Sequence, residues 1–191
     1  MSYIKKKLNM NKGFTLIEML VAVFIFSVAL AALMGISARG LRAARLAQNQ
    51  VIADYLAIEG VEVVRNIRDS AFLLGSNTNT WSNIFNEDGC LQGIENGGAT
   101  HCVFELSSSS TDISLYPCSG GNSCDLYFNE TIGDYRHFQN GTPTANYALF
   151  NYDREIRLEQ VSGSQDEIIV TVDVIWPTGS VQYSESLLLW F

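Results

Sequence analysis

The chain has 191 residues, a length that suits one domain plus a long helix. Its formal net charge is −8, with 20 acidic against 12 basic residues, so it lacks the basic face that a non-specific grip on nucleic acid requires, and no nucleic-acid partner is expected. The lysines Lys5, Lys6, Lys7 and Lys12 all stand at the start and every later basic residue is an arginine, so removal of that leader would leave a still more acidic body.

After the lysines comes an apolar run, Phe14 to Gly35, reading FTLIEMLVAVFIFSVALAALMG. Crossing the hydrocarbon core of a bilayer takes about 20 mostly apolar residues. Met19 to Ile36 carries no charge, and Leu16 to Met34 is interrupted only by Glu18 and the small Ser27. A secretory signal peptide has a shorter apolar core and ends at a small-residue cleavage site. Here the run flows into a helical pattern instead. The leader lysines favour a cytoplasmic N-terminus, a bias that Arg39, Arg42 and Arg45 on the far side reduce. A carboxylate inside such a run is expensive in lipid, so Glu18 is expected to have a function and a partner, unless it reaches the membrane face.

The junction KGFTLIEMLVAV, Lys12 to Val23, resembles the cleavage and methylation segment of the type IV pilin superfamily, which includes the pseudopilins of type II secretion. The resemblance implies that a prepilin peptidase cuts between Gly13 and Phe14 and methylates the new N-terminal residue, Phe14. It implies that Glu18 meets the cationic N-terminus of a neighbouring subunit during assembly. It also implies other pilins or pseudopilins, an inner-membrane assembly platform and an assembly ATPase as partners. The expected location is the inner membrane, with a single span and the C-terminal domain outside the cytoplasm, and then a pilus or pseudopilus filament. Gly35 stands where many major pilins place a helix-bending proline, so the chain departs from that pattern.

Residues 37–72 continue the helix. Proline is absent, and Ile52, Leu56, Gly60, Val63 and Ile67 make one stripe that Val51, Tyr55 and Ile58 are expected to broaden. The heptads fail at Gln48 and Glu62, which argues against a coiled-coil seam. Gly35, Gly40 and Gly60 each weaken the helix by about 1 kcal/mol relative to alanine; a bend or close packing would explain a glycine there.

Residues 75–98 are rich in Asn, Ser, Thr and Gly and read as irregular structure, pinned by Trp81, Ile84 and Phe85. Strand signals follow at Cys102–Leu106, Asp112–Tyr116 and Cys124–Phe128. The clearest strands are Glu155–Val161, Glu167–Trp176 and Val181–Trp190, separated by Ser162–Gln165 and Pro177–Gly179. In the middle one, Ile168, Val170, Val172, Val174 and Trp176 face one way and Thr171 and Asp173 the other, the alternation of a half-buried strand. The expected fold is α+β and pilin-like: a leader over 1–13, a membrane-spanning helical half over 14–36, its amphipathic continuation over 37–72, and an antiparallel β domain with disulfide loops over 73–191. This strand pattern more weakly resembles PilV-type minor pilins.

Cys90, Cys102, Cys118 and Cys124 all follow the apolar run, where an oxidising compartment allows disulfides. Four cysteines allow three pairings; short local loops favour Cys90 with Cys102 and Cys118 with Cys124. Zinc is the competing reading, but no Cys-x-x-Cys pair is present, and no metal is expected. Glu87–Asp88 and Asp166–Glu167 match no EF-hand spacing and read as solvated turns rather than calcium ligands. Asn129 and Asn140 each begin a glycosylation sequon.

Catalysis has little support. His101 and His137 are the only histidines, and no nucleophile elbow or phosphate loop is present, so no catalytic residue, enzyme activity or cofactor is expected. The function expected is that of a minor pilin-like structural subunit of a type IV pilus. The alternatives are a type II secretion pseudopilin and an adhesive or single-pass membrane-anchored binding module. A periplasmic sensor domain explains neither the Gly13–Phe14 junction nor Glu18, and no aromatic cluster marks a sugar site in the sequence.

Overall fold

One helix, α1 (Leu16–Leu73), runs through the N-terminal part of the computed structural model. The structure describes residues 13, 15–74, 81–85, 89–92, 101–106, 113–118, 124–138 and 146–189. The leader lysines, Phe14, Glu87, Asp88 and Asn140 lie outside the described residues. The chain divides into two units, Met1–Arg45 and Leu46–Phe191.

In the first unit the described residues are all exposed. Leu, Ile, Val, Phe and Met side chains face outward all round the helix, which is the surface of a span or of a helix awaiting neighbours. The helix is long and apolar enough to cross a membrane. Its serines do not break this character, because Ser27 and Ser37 donate to the carbonyls of Val23 and Leu33 at 2.7 and 3.0 Å.

In the second unit α1 packs against a sheet. The expected stripe is half-buried at Ile52 and Ile67 and buried at Leu56, Gly60 and Val63. Its expected broadening is corrected: Val51, Tyr55 and Ile58 are 52%, 71% and 46% exposed, while Ala53, Ala57, Val61 and Val64 are buried. At about 100° per residue Val51, Tyr55 and Ile58 stand nearly opposite Ala53, Gly60 and Val64, on the side of the helix that the sheet does not cover. A Cβ on Gly60 would stand 3.0 and 3.1 Å from the two methyl carbons of Val172, so glycine at this position serves close approach rather than a bend.

The sheet is built on β6 (Ala148–Gln160), a 13-residue strand. One edge of β6 pairs with β7 (Glu167–Trp176), which pairs in turn with β8 (Gly179–Leu188) in the expected antiparallel meander. The other edge serves three earlier strands in succession. Near its start it pairs with β4 (Asp125–Asn129), at Ile156 with β2 (Cys102–Leu106), and at Leu158 and Glu159 with β1 (Leu91–Gln92). β3 (Ile113–Pro117) extends β2, and β5 (Asp134–Arg136) extends β4. All pairs are antiparallel except β1 with β6. The expected first strand of the meander thus begins earlier than Glu155, because Ala148 to Phe150 pair with β4.

Alternation fixes which face meets the helix. Ile156 and Leu158 of β6, Ile168, Val170, Val172 and Val174 of β7, and Leu187 of β8 join the buried side chains of α1 in one core. The stretch read as irregular contains a short helix, α2 (Trp81–Phe85), whose Trp81 and Phe85 are fully buried, with Ile84 packed beside them. The disulfides are Cys90–Cys102 and Cys118–Cys124, so no cysteine is left to bind zinc. The first ties the start of β1 to β2, and the second joins the end of β3 to the start of β4.

Candidate assembly site

Gly13 and Thr15 are exposed, and nothing stands within 4 Å of where a Cβ on Gly13 would be. Helix α1 starts directly beyond Thr15, with the amides of Glu18 and Met19 donating to the Thr15 carbonyl. Glu18 stands exposed in the first turn, where the partial positive charge of a helix N-terminus favours a carboxylate. The described part of the first unit provides it no cation: Glu18 forms no ion pair with a described residue.

A different ionic site lies inside the second unit, and sequence reasoning missed it. Arg154 of β6 is fully buried and pairs with Glu59 of α1, whose side chain is 45% exposed. The guanidinium carbon sits 4.1 Å above the Phe104 ring, a cation–π contact in a dry setting. His137 completes the group. Its Nδ1 is 3.0 Å from the Asp125 carbonyl and its Nε2 is 3.4 Å from Nε of Arg154. Nδ1–H therefore donates to the carbonyl and Nε2 accepts from the arginine, which makes the ring neutral. Burial, followed by the Arg154 charge, holds the His137 pKa well below the usual histidine range. This group ties helix to sheet. A signal for it exists in the sequence: Arg154 occupies the inward register of β6 between Tyr152 and Ile156, and a charge there demands a partner.

The remaining candidates separate. His101 Nδ1 lies 2.8 Å from a Glu155 oxygen at the surface. Asp166 is exposed at a turn, and among the described residues no three His, Cys, Asp or Glu side chains converge on a metal position. Asp125 and Asp153 face each other across β4 and β6. Burial, with the hydrogen bond and charge of Asp125, pushes the Asp153 pKa up to about 6. Asn129 is buried, and its side-chain oxygen accepts from the Thr131 amide at 2.9 Å in a turn. The fold does assemble an aromatic row from scattered positions. Phe128, Tyr135, Phe150, Tyr152 and Trp176 lie in a chain of ring contacts with centroids 4.6 to 5.9 Å apart. These rings pack largely on one another.

An exposed apolar helix long enough to cross a membrane, followed in the chain by a helix-on-sheet domain with two disulfides, is the pilin-like α+β architecture. Residues 8–34 match the family model of the prokaryotic N-terminal methylation motif, a match that supports the resemblance to the type IV pilin and pseudopilin superfamily. Comparison with curated proteins and with solved structures found no match.

Proposed function

We propose that this chain is a minor pilin-like structural subunit of a type IV pilus, cleaved by prepilin peptidase between Gly13 and Phe14, methylated at Phe14 and assembled through its N-terminal helix. The observation that carries the reading is the helix beyond Gly13, which is exposed and apolar on every side up to Gly35 and ionisable only at Glu18. Such a surface is stable in lipid or among like helices and nowhere else. Before assembly the subunit stays in the inner membrane with its disulfide-bonded domain outside the cytoplasm. An assembly platform and its ATPase then move it into the filament, since the chain offers no nucleotide-binding loop of its own. A pseudopilin of type II secretion would share the same N-terminal chemistry.

Glu18 is the assembly residue in this reading. Once the apolar helices pack together, an unpaired carboxylate is costly and must find a cation. Cleavage creates one in the amino group of Phe14, and methylation leaves it able to carry charge. Docking to the amine of a neighbour neutralises both groups and sets the axial register.

Mass spectrometry of the mature N-terminus tests the first step. A methylated Phe14 is expected, and Gly13→Leu should leave the precursor uncut in the membrane. A chain beginning at Met1 in a cell with active prepilin peptidase would refute the reading. Sheared filaments test the second step. Glu18→Ala should be cleaved and membrane-resident yet about tenfold depleted from filaments relative to the membrane pool, as expected for a charge left without its partner. Glu18→Asp should be depleted less. Unchanged incorporation of Glu18→Ala would remove the proposed pairing.

A further inference from the structure

We propose that the free edge of β8 binds an extended, uncharged segment of another protein, which adds to the sheet as a further antiparallel strand. This contact belongs to the β domain and does not depend on how the N-terminal helix is used.

Among the described residues β8 pairs with β7 alone, so it closes the sheet on that side. The pairing is unbroken over ten residue pairs, from Glu167 with Leu188 to Trp176 with Gly179. In an antiparallel pair alternate residues turn their N–H and C=O toward the partner strand, and the others turn theirs away. The Leu189 amide donates to the Asp166 carbonyl at 2.8 Å, one step beyond the pair of Glu167 and Leu188. In this register the backbone groups of Val181, Tyr183, Glu185 and Leu187 face β7. Those of Ser180, Gln182, Ser184 and Ser186 point outward, and no described strand takes them up. The carbonyl of Leu188 also points outward, where Nη1 of Arg68 donates to it at 3.1 Å.

Natural proteins guard a long open edge with a lysine, a proline or a bulge. The edge strand β3 is five residues long and ends in Pro117. β8 is ten residues long and has no such guard. Its single charge, Glu185, is drawn onto α1 by Arg65. The side chains beside the outward backbone are drawn back as well. Gln182 donates to Asp173 at 2.7 Å, Ser184 shares a hydrogen bond with Thr171 at 2.8 Å, and Ser186 donates to Glu167. All three reach toward β7 and leave the open edge bare.

The chemistry of this edge specifies its occupant. The outward groups from Ser180 to Ser186 match the main chain of a β segment about 20 Å long. Residues directly opposite each other share a face of the sheet. Across from the serines and Gln182, serine or threonine extends the row of small polar side chains. On the helix side the segment covers half-buried Val181 and Tyr183, which is 41% exposed, and β-branched apolar residues suit that face. Because Glu185 is balanced internally, a charged residue over the edge would be desolvated without a partner. Charge complementarity thus selects a neutral strand. A second β8 fits less well, since antiparallel pairing of two such edges about Tyr183 sets each Glu185 against a Val181.

The test mixes the full-length protein in detergent with an octapeptide of alternating threonine and valine, or with the same peptide N-methylated at its threonines. Threonines opposite the serines direct their N–H groups at β8, so N-methylation keeps the side chains and blocks the bonds to the edge. Amide hydrogen exchange is read residue by residue by NMR. The unmodified peptide should slow exchange at Gln182, Ser184 and Ser186 about tenfold or more, and leave Val181, Tyr183 and Glu185, already bonded to β7, unchanged. The N-methylated peptide should protect none of them. Ser184→Pro should abolish the protection, because an edge strand tolerates proline where its N–H faces outward. If that variant shifts the unfolding transition, the two peptides on the unaltered protein decide alone. Equal protection by both peptides, or by neither, overturns the proposal. Protection of the outward amides without any peptide, lost on dilution, shows a second copy on the edge and overturns the proposed occupant.

Discussion

The two stretches of α1, residues 16–45 and 46–73, share a secondary structure but not a source of stability. In the first, large apolar side chains find no protein partner among the described residues, and the space around Gly35 and Gly40 is open. In the second, seven residues are buried, and Gly60 meets Val172 at van der Waals limits. Even the glutamates differ. Glu18 has no cation in the described part of its own unit, whereas Glu59 balances a buried arginine. Helical periodicity alone does not separate these cases. The separation comes from what lies outside the helix: lipid or other subunits for the first stretch, the chain's own sheet for the second.

The strongest way to break this contrast is to remove each glutamate. Glu59→Ala leaves Arg154 buried without a counter-charge and should cost about 3–5 kcal/mol of domain stability. Denaturant unfolding of the full chain in detergent, followed by tryptophan fluorescence, measures it. Glu18→Ala should leave the same transition unmoved; a comparable loss there would show that the two stretches are not independent.

Next in size are the disulfides. Replacing Cys90 and Cys102 together by alanine should lower stability by about 2–4 kcal/mol, and the shorter Cys118–Cys124 loop should matter less. The same unfolding curves decide the order, and equal losses would argue against a loop-entropy origin.

The glycines sharpen the contrast further. Gly60→Leu forces side-chain bulk against Val172 and should cost about 1–3 kcal/mol. Gly35→Ala and Gly40→Ala should instead each favour the helix by up to about 1 kcal/mol, read as helicity in detergent, with no shift in domain unfolding.

The smallest expected effect is on pH dependence. His137 titrates lower in the folded protein than its ordinary value of 6.5, so its contribution is complete above pH 6.5 and is lost as the pH falls below it. Asp153 is raised from 3.8 to about 6, so its contribution is complete below 3.8 and is lost as the pH rises through 6. The two oppose each other between pH 6.5 and 3.8. Asp153→Asn should therefore steepen the loss of stability from pH 7 to 5, and His137→Gln should flatten it. Denaturant midpoints at several pH values check both signs.

Much of this architecture is legible in the sequence. The apolar run, the meander and the favoured cysteine pairs all correspond to observed elements, because period and spacing encode them locally. β7 coincides with its predicted bounds, since a continuous β-branched run is closed off by turn residues on both sides, although Thr171 on the other face is buried as well. The early strands are harder. β1 and β5 are two and three residues long, too short for any period to register, and they exist only because β6 and β4 offer them an edge. The inward register of Arg154 signals a buried charge, but its partners Glu59 and His137 are harder to identify for a related reason. The three residues are far apart in sequence, and only the register of β6 against the helix brings them together. Tyr55 falls outside the core because it stands on the side of the helix opposite Ala53, Gly60 and Val64, beyond the face that the sheet covers.

The shared edge of β6 also imposes an order of events on folding. β1, β2 and β4 are all made before residue 148, yet each is completed by pairing with residues 148–159. A chain that emerges from its N-terminus carries these segments for some time with their common template still unmade. Contacts of such sequence separation are slow to close. Until β6 arrives, Cys90 and Cys102 have no sheet to hold them together and can meet either of the other two cysteines. The pair that β6 helps to specify is therefore Cys90–Cys102, and a chain truncated before Ala148 should form it less completely than Cys118–Cys124, whose members stand 6 residues apart.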